Sequence, residues 1–136
     1  MSDNLNTLMI GKNARSAAFS LSEISDQVIS ETLALFSSLI QKNRAKILEA
    51  NDEDVKLALL NNATKASIDR LRLNESRINS LQSVMLNVAK QKSPVDQILE
   101  SVIRPNGLKI NKVTTPIGVI GVIFESRPNV FCDAAA

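Results

Sequence analysis

Pro116-Ile117-Gly118-Val119-Ile120-Gly121-Val122-Ile123-Phe124-Glu125-Ser126-Arg127-Pro128-Asn129-Val130 is the stretch whose reading decides the fold. Residues 117–124 form an unbroken apolar run. That is the pattern of a strand covered on both faces in a parallel sheet, not the alternation of a half-exposed strand. The run passes directly into a polar loop, 125–129, and a new segment opens at Val130. Strand, loop and helix start in that order begin an α/β unit. The helix is short when the sequence reaches Ala136, so the unit is expected to continue, and the chain reads as an N-terminal fragment of something larger.

Upstream the sequence reads as helical. Residues 3–20 carry a partial stripe (Leu5, Leu8, Met9, Ala17) weakened by Gly11. Residues 23–42 carry two apolar rows, Ile24, Val28, Leu35, Leu39 and Ile29, Phe36, Ile40, with Ser22 placed to cap the start. A break at Asn43 leads into 44–61, with Ile47, Leu48, Val55, Ala58 and Leu59 on its apolar side, and Asn61-Asn62 ends it. A short helix over 65–72 centres on Ile68 and Leu71. Asn74 then caps 75–91, with Glu75 in the first turn where the helix dipole favours a negative charge. Ile78, Leu81, Val84, Met85 and Val88 give this helix the most continuous apolar face in the chain.

Ser93-Pro94 marks a boundary, because proline disfavours helix at and before its position. Beyond it, 97–104 and 108–115 read as strands joined by the turn Pro105-Asn106-Gly107, with a bulge before Val113. The expected fold class is α/β, divided into a helical region over 1–92, a β-hairpin over 93–115, and the first strand, loop and helix start of an α/β domain over 116–136.

Composition narrows the function. Of 136 residues, 44% are hydrophobic, enough for a packed core, and only 3% are aromatic, so that core is Leu, Ile, Val and Ala. Sixteen basic and fourteen acidic residues leave a net charge of +2, without the one-sided field of a nucleic-acid binder. There is no histidine, and Cys132 stands alone, so no disulfide or zinc cluster is expected and no metal site is assigned. No apolar run approaches the roughly 18 residues that a membrane span needs. The N-terminus lacks the basic-then-apolar order of a signal peptide. A cytoplasmic protein without membrane or nucleic-acid partners is expected.

Two readings stand for each candidate motif. Gly118 and Gly121 lie inside the strand, not in a loop after it, so they are no dinucleotide fingerprint. Close packing against a helix is the favoured account. Loop 125–129 lies at the carboxyl end of a buried strand, where α/β sheets hold ligands. There Arg127 can fork onto a phosphate or carboxylate, Asn129 can donate to an oxyanion, and Ser126 can donate to phosphate or ribose. The same loop is equally a turn in which Glu125 pairs with Arg127 and Asn129 caps the next helix. Cys132 falls in the first turn of that helix, where the dipole lowers a thiol's pKa, yet its apolar neighbours Val130 and Phe131 favour packing. Asp52-Glu53-Asp54 is read as a solvated face in preference to a cation site.

The segment 116–130 closely resembles the gamma-glutamyl phosphate reductases (glutamate-5-semialdehyde dehydrogenases) of the aldehyde dehydrogenase superfamily. Further segments agree in order: Ala14-Arg15 with Ala17-Ala18, Glu49-Ala50-Asn51-Asp52-Glu53-Asp54-Val55, Ile68-Asp69-Arg70-Leu71-Arg72-Leu73, and Ser93-Pro94-Val95 followed by Arg104-Pro105-Asn106-Gly107-Leu108. The resemblance implies an NADPH-dependent reduction of L-glutamyl 5-phosphate to L-glutamate 5-semialdehyde and phosphate in proline biosynthesis, in a homo-oligomeric parent. It makes residues 1–92 the helical part of a cofactor-binding domain and the hairpin an element available for oligomerisation. It places Phe124, Glu125 and Ser126 beside the nicotinamide half of NADPH/NADP, with Arg127 and Asn129 toward the substrate. The family's catalytic cysteine lies outside this chain, so no catalytic residue is assigned and residues 1–136 are expected to be inactive alone. The competing reading is a helical protein-interaction module that buries the 75–91 stripe against a partner.

Overall fold

The computed structural model describes residues 2–136, with side chains from Asn6 onward. In chain order the elements are α1 (Ser2–Leu21), α2 (Asp26–Lys42), α3 (Arg44–Leu60), α4 (Lys65–Leu71), α5 (Glu75–Ala89), β1 (Ile98–Ile103), β2 (Lys109–Val113) and α6 (Pro128–Ala135). They form two compact units. One holds α1 and Lys92–Gly121, the other Gln27–Gln91 and Val122–Ala136.

The helical unit is organised by α2 and α5. Ser30 Oγ donates to the Ala89 carbonyl at 2.7 Å, and Gln82 Nε2 donates to the Ser37 carbonyl at 3.2 Å. The two helices therefore run antiparallel, and this pairing selects which side of α2 faces inward. Leu33, Ser37 and Ile40 are buried, while Leu35, Leu39 and Val28 of the expected rows stay exposed. Neither expected row is the inward side as a whole: only Phe36 and Ile40 of the second row turn inward, Ile29 is exposed, and Leu33 and Ser37 belong to neither row. On α5 the expected face is the core: Ile78 and Met85 are 0% exposed and Leu81 is buried. Leu73, Cys132 and the partly buried Phe36, Ile47, Leu48 and Val88 complete the cluster. The Phe36 and Phe131 rings meet edge to face at 6.2 Å. The stripe that an interaction module would offer to a partner is thus consumed within the chain.

Caps set the helix limits. Thr64 Oγ1 accepts the Ser67 amide at 3.2 Å, and Asn74 Oδ1 accepts the Arg77 amide at 2.8 Å, as expected of an N-cap asparagine. Asn62 ends α3 in the left-handed region at φ 57°. Ser22 is not a cap: its hydroxyl turns back to the Phe19 carbonyl at 2.7 Å, and α2 begins only at Asp26, the acidic residue of its first turn. The Asp52, Glu53 and Asp54 side chains are exposed on α3. On α1, Leu8 and Met9 are exposed, and the Leu5 side chain lies outside the described residues.

In the other unit, β1 and β2 form the expected antiparallel hairpin, pairing Ile103 with Lys109, Val102 with Ile110 and Ile98 with Val113. Its turn is closed by the Gly107 amide on the Arg104 carbonyl at 2.9 Å, with Gly107 at φ 83°. That backbone favours glycine. The bulge falls between Ile98 and Glu100 on β1, across from the side expected. Every residue of both strands is exposed.

The apolar run 117–124, which reads as a strand in need of covering partners, is unpaired in this chain. It is extended but forms no sheet ladder, and its large side chains are exposed, Ile123 fully so. A strand requires a neighbour. Among the described residues β1 and β2 pair only with each other, and this segment joins neither of their outer edges. Close packing at the glycines is not seen either. A Cβ at Gly118 or Gly121 would meet nothing within 4 Å. What Gly118 supplies is φ 99°, a backbone that a side chain would strain.

Candidate functional site

The helical unit contains a concavity of about 300 Å³ lined by Asp69, Arg70, Arg72, Leu73, Arg77, Ser80, Arg127 and Asn129. Four arginines and one aspartate are among its lining residues. Each wall has a local cause. α4 ends at Leu71, and the link to α5 is fastened by Asn51, which is buried on α3. Asn51 Nδ2 donates to the Leu71 carbonyl at 2.9 Å, and Asn51 Oδ1 accepts the Leu73 amide at 2.6 Å. A buried amide and a partly buried carbonyl are thereby satisfied, and the backbone of Arg72 is fixed between them.

Arg77 sits one turn into α5 and is committed to structure. Its guanidinium donates to the carbonyls of Asp69 and Arg72 and pairs with the Asp69 carboxylate at 3.2 Å. The lone carboxylate of the concavity is therefore already engaged. Arg70 donates its Nε to the Ala66 carbonyl at 3.1 Å, leaving its terminal nitrogens to the concavity. Among the described residues the Arg72 and Arg127 guanidiniums have no hydrogen-bond or ion-pair partner.

The third wall comes from the sequence loop. Ser126 takes φ 56°, left-handed for a non-glycine residue, and turns the chain into α6. Arg127 is the N-cap position, with no side-chain cap bond, and Pro128 opens the helix at its favoured first position. The loop is a turn in which Pro128 opens the helix, but two other details of the turn reading are not seen. Glu125 and Arg127 form no ion pair among the described residues. Asn129 lies inside α6, its Nδ2 reaching Asp133 Oδ2 at 3.4 Å, and does not cap it. Arg127 and Asn129 both line the concavity. Phe124, Glu125 and Ser126 precede it, exposed and outside its lining.

Cys132 is buried in the core cluster. Burial, then the Asp133 charge beside it, pushes its thiol pKa up from 9.0, opposite to the lowering expected at a helix start. It lies in the second turn of α6, not the first. Its role is packing.

Sequence reading singled out Arg127 and Asn129 but missed Arg70, Arg72 and Arg77 as a group. The available signal was density: three arginines within residues 70–77 of a chain with nearly balanced charge.

No family model matches the chain. Individual relatives do. It is 42% identical over 127 residues to the gamma-glutamyl phosphate reductase of Zymomonas mobilis, covering 93% of this chain and 30% of that protein. It is 44% identical over 125 residues to that of a Nitratiruptor species, covering 92% and 30%. Among solved structures, the gamma-glutamyl phosphate reductase of Thermotoga maritima superposes with a TM-score of 0.89 at 34% identity, over 93% of this chain and 31% of that one. The Saccharomyces cerevisiae enzyme gives 0.89 at 31% identity, over 93% and 32%. The chain thus spans about 30% of the length of the curated relatives it matches. Over the portion that it spans, in sequence and in fold, this chain matches the N-terminal part of the gamma-glutamyl phosphate reductases.

Proposed function

We propose that the chain forms part of an NADPH-dependent reductase that converts L-glutamyl 5-phosphate to L-glutamate 5-semialdehyde and phosphate in proline biosynthesis, within the aldehyde dehydrogenase superfamily. One observation carries the reading: loop 125–129, found in a chain related to enzymes of that name, delivers Arg127 and Asn129 into a concavity rich in arginine. In this reading Arg127 holds an anionic group of the substrate, and Asn129 offers its amide to the carbonyl oxygen as negative charge develops there. The substrate is a carboxylate and an acyl phosphate at once, which suits a site built from guanidiniums.

Bound NADPH supplies the hydride. Phe124, Glu125 and Ser126 are the residues to lie along its nicotinamide half: an exposed ring can stack on a flat heterocycle, and an exposed hydroxyl can meet a ribose. The chain itself offers no activated nucleophile, since its lone cysteine is buried with a raised pKa and it has no histidine. Its part is therefore binding and orientation. The hairpin, with apolar side chains exposed on both strands, is the element for self-association in a homo-oligomer, and the setting is cytoplasmic.

The test uses the protein made from the complete reading frame. It should reduce NADP in the presence of glutamate 5-semialdehyde only when inorganic phosphate is added. Reduction independent of phosphate, or none at all, rejects the reading.

A further inference from the structure

Arg70, Arg72 and Arg127 arrive at one concavity from three places: the end of α4, the α4–α5 link, and the start of α6. Like charges that line one concavity repel, and the cost is relieved either by solvent or by an incoming anion. The carboxylate in the wall, Asp69, is paired to Arg77, and Arg77 is further spent on two backbone carbonyls. It cannot neutralise the other three. The arrangement is also held in place: Arg72 sits between two backbone groups clamped by a buried asparagine, and Arg127 is fixed ahead of a proline-started helix. Leu73 gives the concavity a buried apolar floor. Its volume lies at the lower end of the roughly 300–1,000 Å³ of small-molecule pockets.

We infer that Arg70, Arg72 and Arg127 together form a phosphate-binding subsite, with Arg77 as its structural brace. The planar fork of a guanidinium matches a tetrahedral phosphate edge, and three arginines lining one small concavity suit a phosphate ester or acyl phosphate better than a lone carboxylate. The inference deepens the proposed function, resting on it for Arg127, and adds two residues from a helix and a link that the loop motif does not include. Two sources carry the required chemistry, the acyl phosphate of a substrate and the 2′-phosphate of the cofactor.

The experiment uses the 136-residue chain and needs no turnover. Amide and arginine Nε resonances are followed by NMR while inorganic phosphate is titrated against chloride at constant ionic strength. Saturable shifts are expected at Arg70, Arg72, Arg127 and Asn129. Arg72→Gln and Arg127→Gln should each weaken phosphate binding at least tenfold, and Arg72→Lys by less than Arg72→Gln. Dispersion of the Ile78 and Met85 signals reports whether each variant is folded, and Arg70→Gln, on an exposed helix end, replaces any that is not. Non-saturating shifts, or equal affinity in folded glutamine variants, overturn the inference. Acetyl phosphate and adenosine 2′-monophosphate form two further arms: tighter binding of the first assigns the subsite to substrate, and of the second to cofactor. Phosphate binding in a protein whose complete form fails the phosphate-dependent assay leaves this subsite standing and removes the proposed reaction. The opposite pair of results does the reverse.

Discussion

Asn51 holds Leu73. The Leu73 amide donates to Asn51 Oδ1 at 2.6 Å, while Asn51 Nδ2 donates to the carbonyl of Leu71, so one buried side chain on α3 fixes the link between α4 and α5. Arg72 lies within that link, and the asparagine therefore places a guanidinium it does not touch. Asn51→Ala strands the buried Leu73 amide, at about 1–3 kcal/mol for a buried group left unsatisfied, and frees the partly buried Leu71 carbonyl, which solvent can reach. The urea midpoint should fall accordingly with an unchanged m-value. Phosphate affinity should fall as well if the link loosens. A variant as stable as the parent would show that water replaces the side chain without loss.

Protection from hydrogen exchange should divide the chain sharply. Ile78, Leu81 and Met85 sit in the core of α5, and amides there should exchange only through global opening. Residues 116–126 have no ladder and should exchange at near-random-coil rates in the monomer. Slow monomeric exchange over 117–124 would mean that the apolar run is covered. Slowing that appears only at high concentration would point to self-association through this exposed segment.

Cys132 makes stability fall at alkaline pH. Its folded pKa is raised by burial and by Asp133, so below the ordinary value of 9.0 both folded and unfolded chains keep the proton. As pH climbs past 9.0 toward the folded value, the unfolded chain releases its proton while the folded chain retains it, and stability is lost progressively. Cys132→Ala should flatten this part of the pH profile, at the cost of a small cavity. Alkylation by iodoacetamide near pH 8 should be slow in the native chain and fast in urea. Rapid native alkylation would contradict the buried, protonated thiol.

Residues 1–136 alone should match buffer in an NADPH oxidation assay with L-glutamyl 5-phosphate, because no nucleophile in the chain is activated. Turnover abolished by Cys132→Ser would be the contrary result. In the protein from the complete reading frame, Arg127→Ala should lower kcat/KM by an amount equivalent to about 1.5–3 kcal/mol, the range for hydrogen bonds to charged groups. Unchanged kinetics would make Arg127 a bystander.

Local chemistry in the sequence was enough to place most elements. Asn74 caps because a short side chain can reach an amide three residues on, Pro94 fixes its own φ wherever it stands, and Gly107 admits the left-handed backbone that the turn needs. The α5 face was equally legible, since Ile78, Leu81 and Met85 repeat at the helical period and a single face satisfies them. The sequence also located the loop with Arg127 and Asn129, through residue types suited to anions. Three things waited for tertiary structure. The inward side of α2 depended on Ser37 and Gln82 meeting across two helices. The state of 117–124 depended on a neighbouring strand, because sheet hydrogen bonds are made between segments and no segment can encode its partner alone. The gathering of Arg70, Arg72 and Arg127 depended on α6 packing against α5, which brings together residues more than fifty positions apart. Periodicity and capping act over one or two turns and can be read along the chain. A site assembled from distant turns exists only once the core has closed.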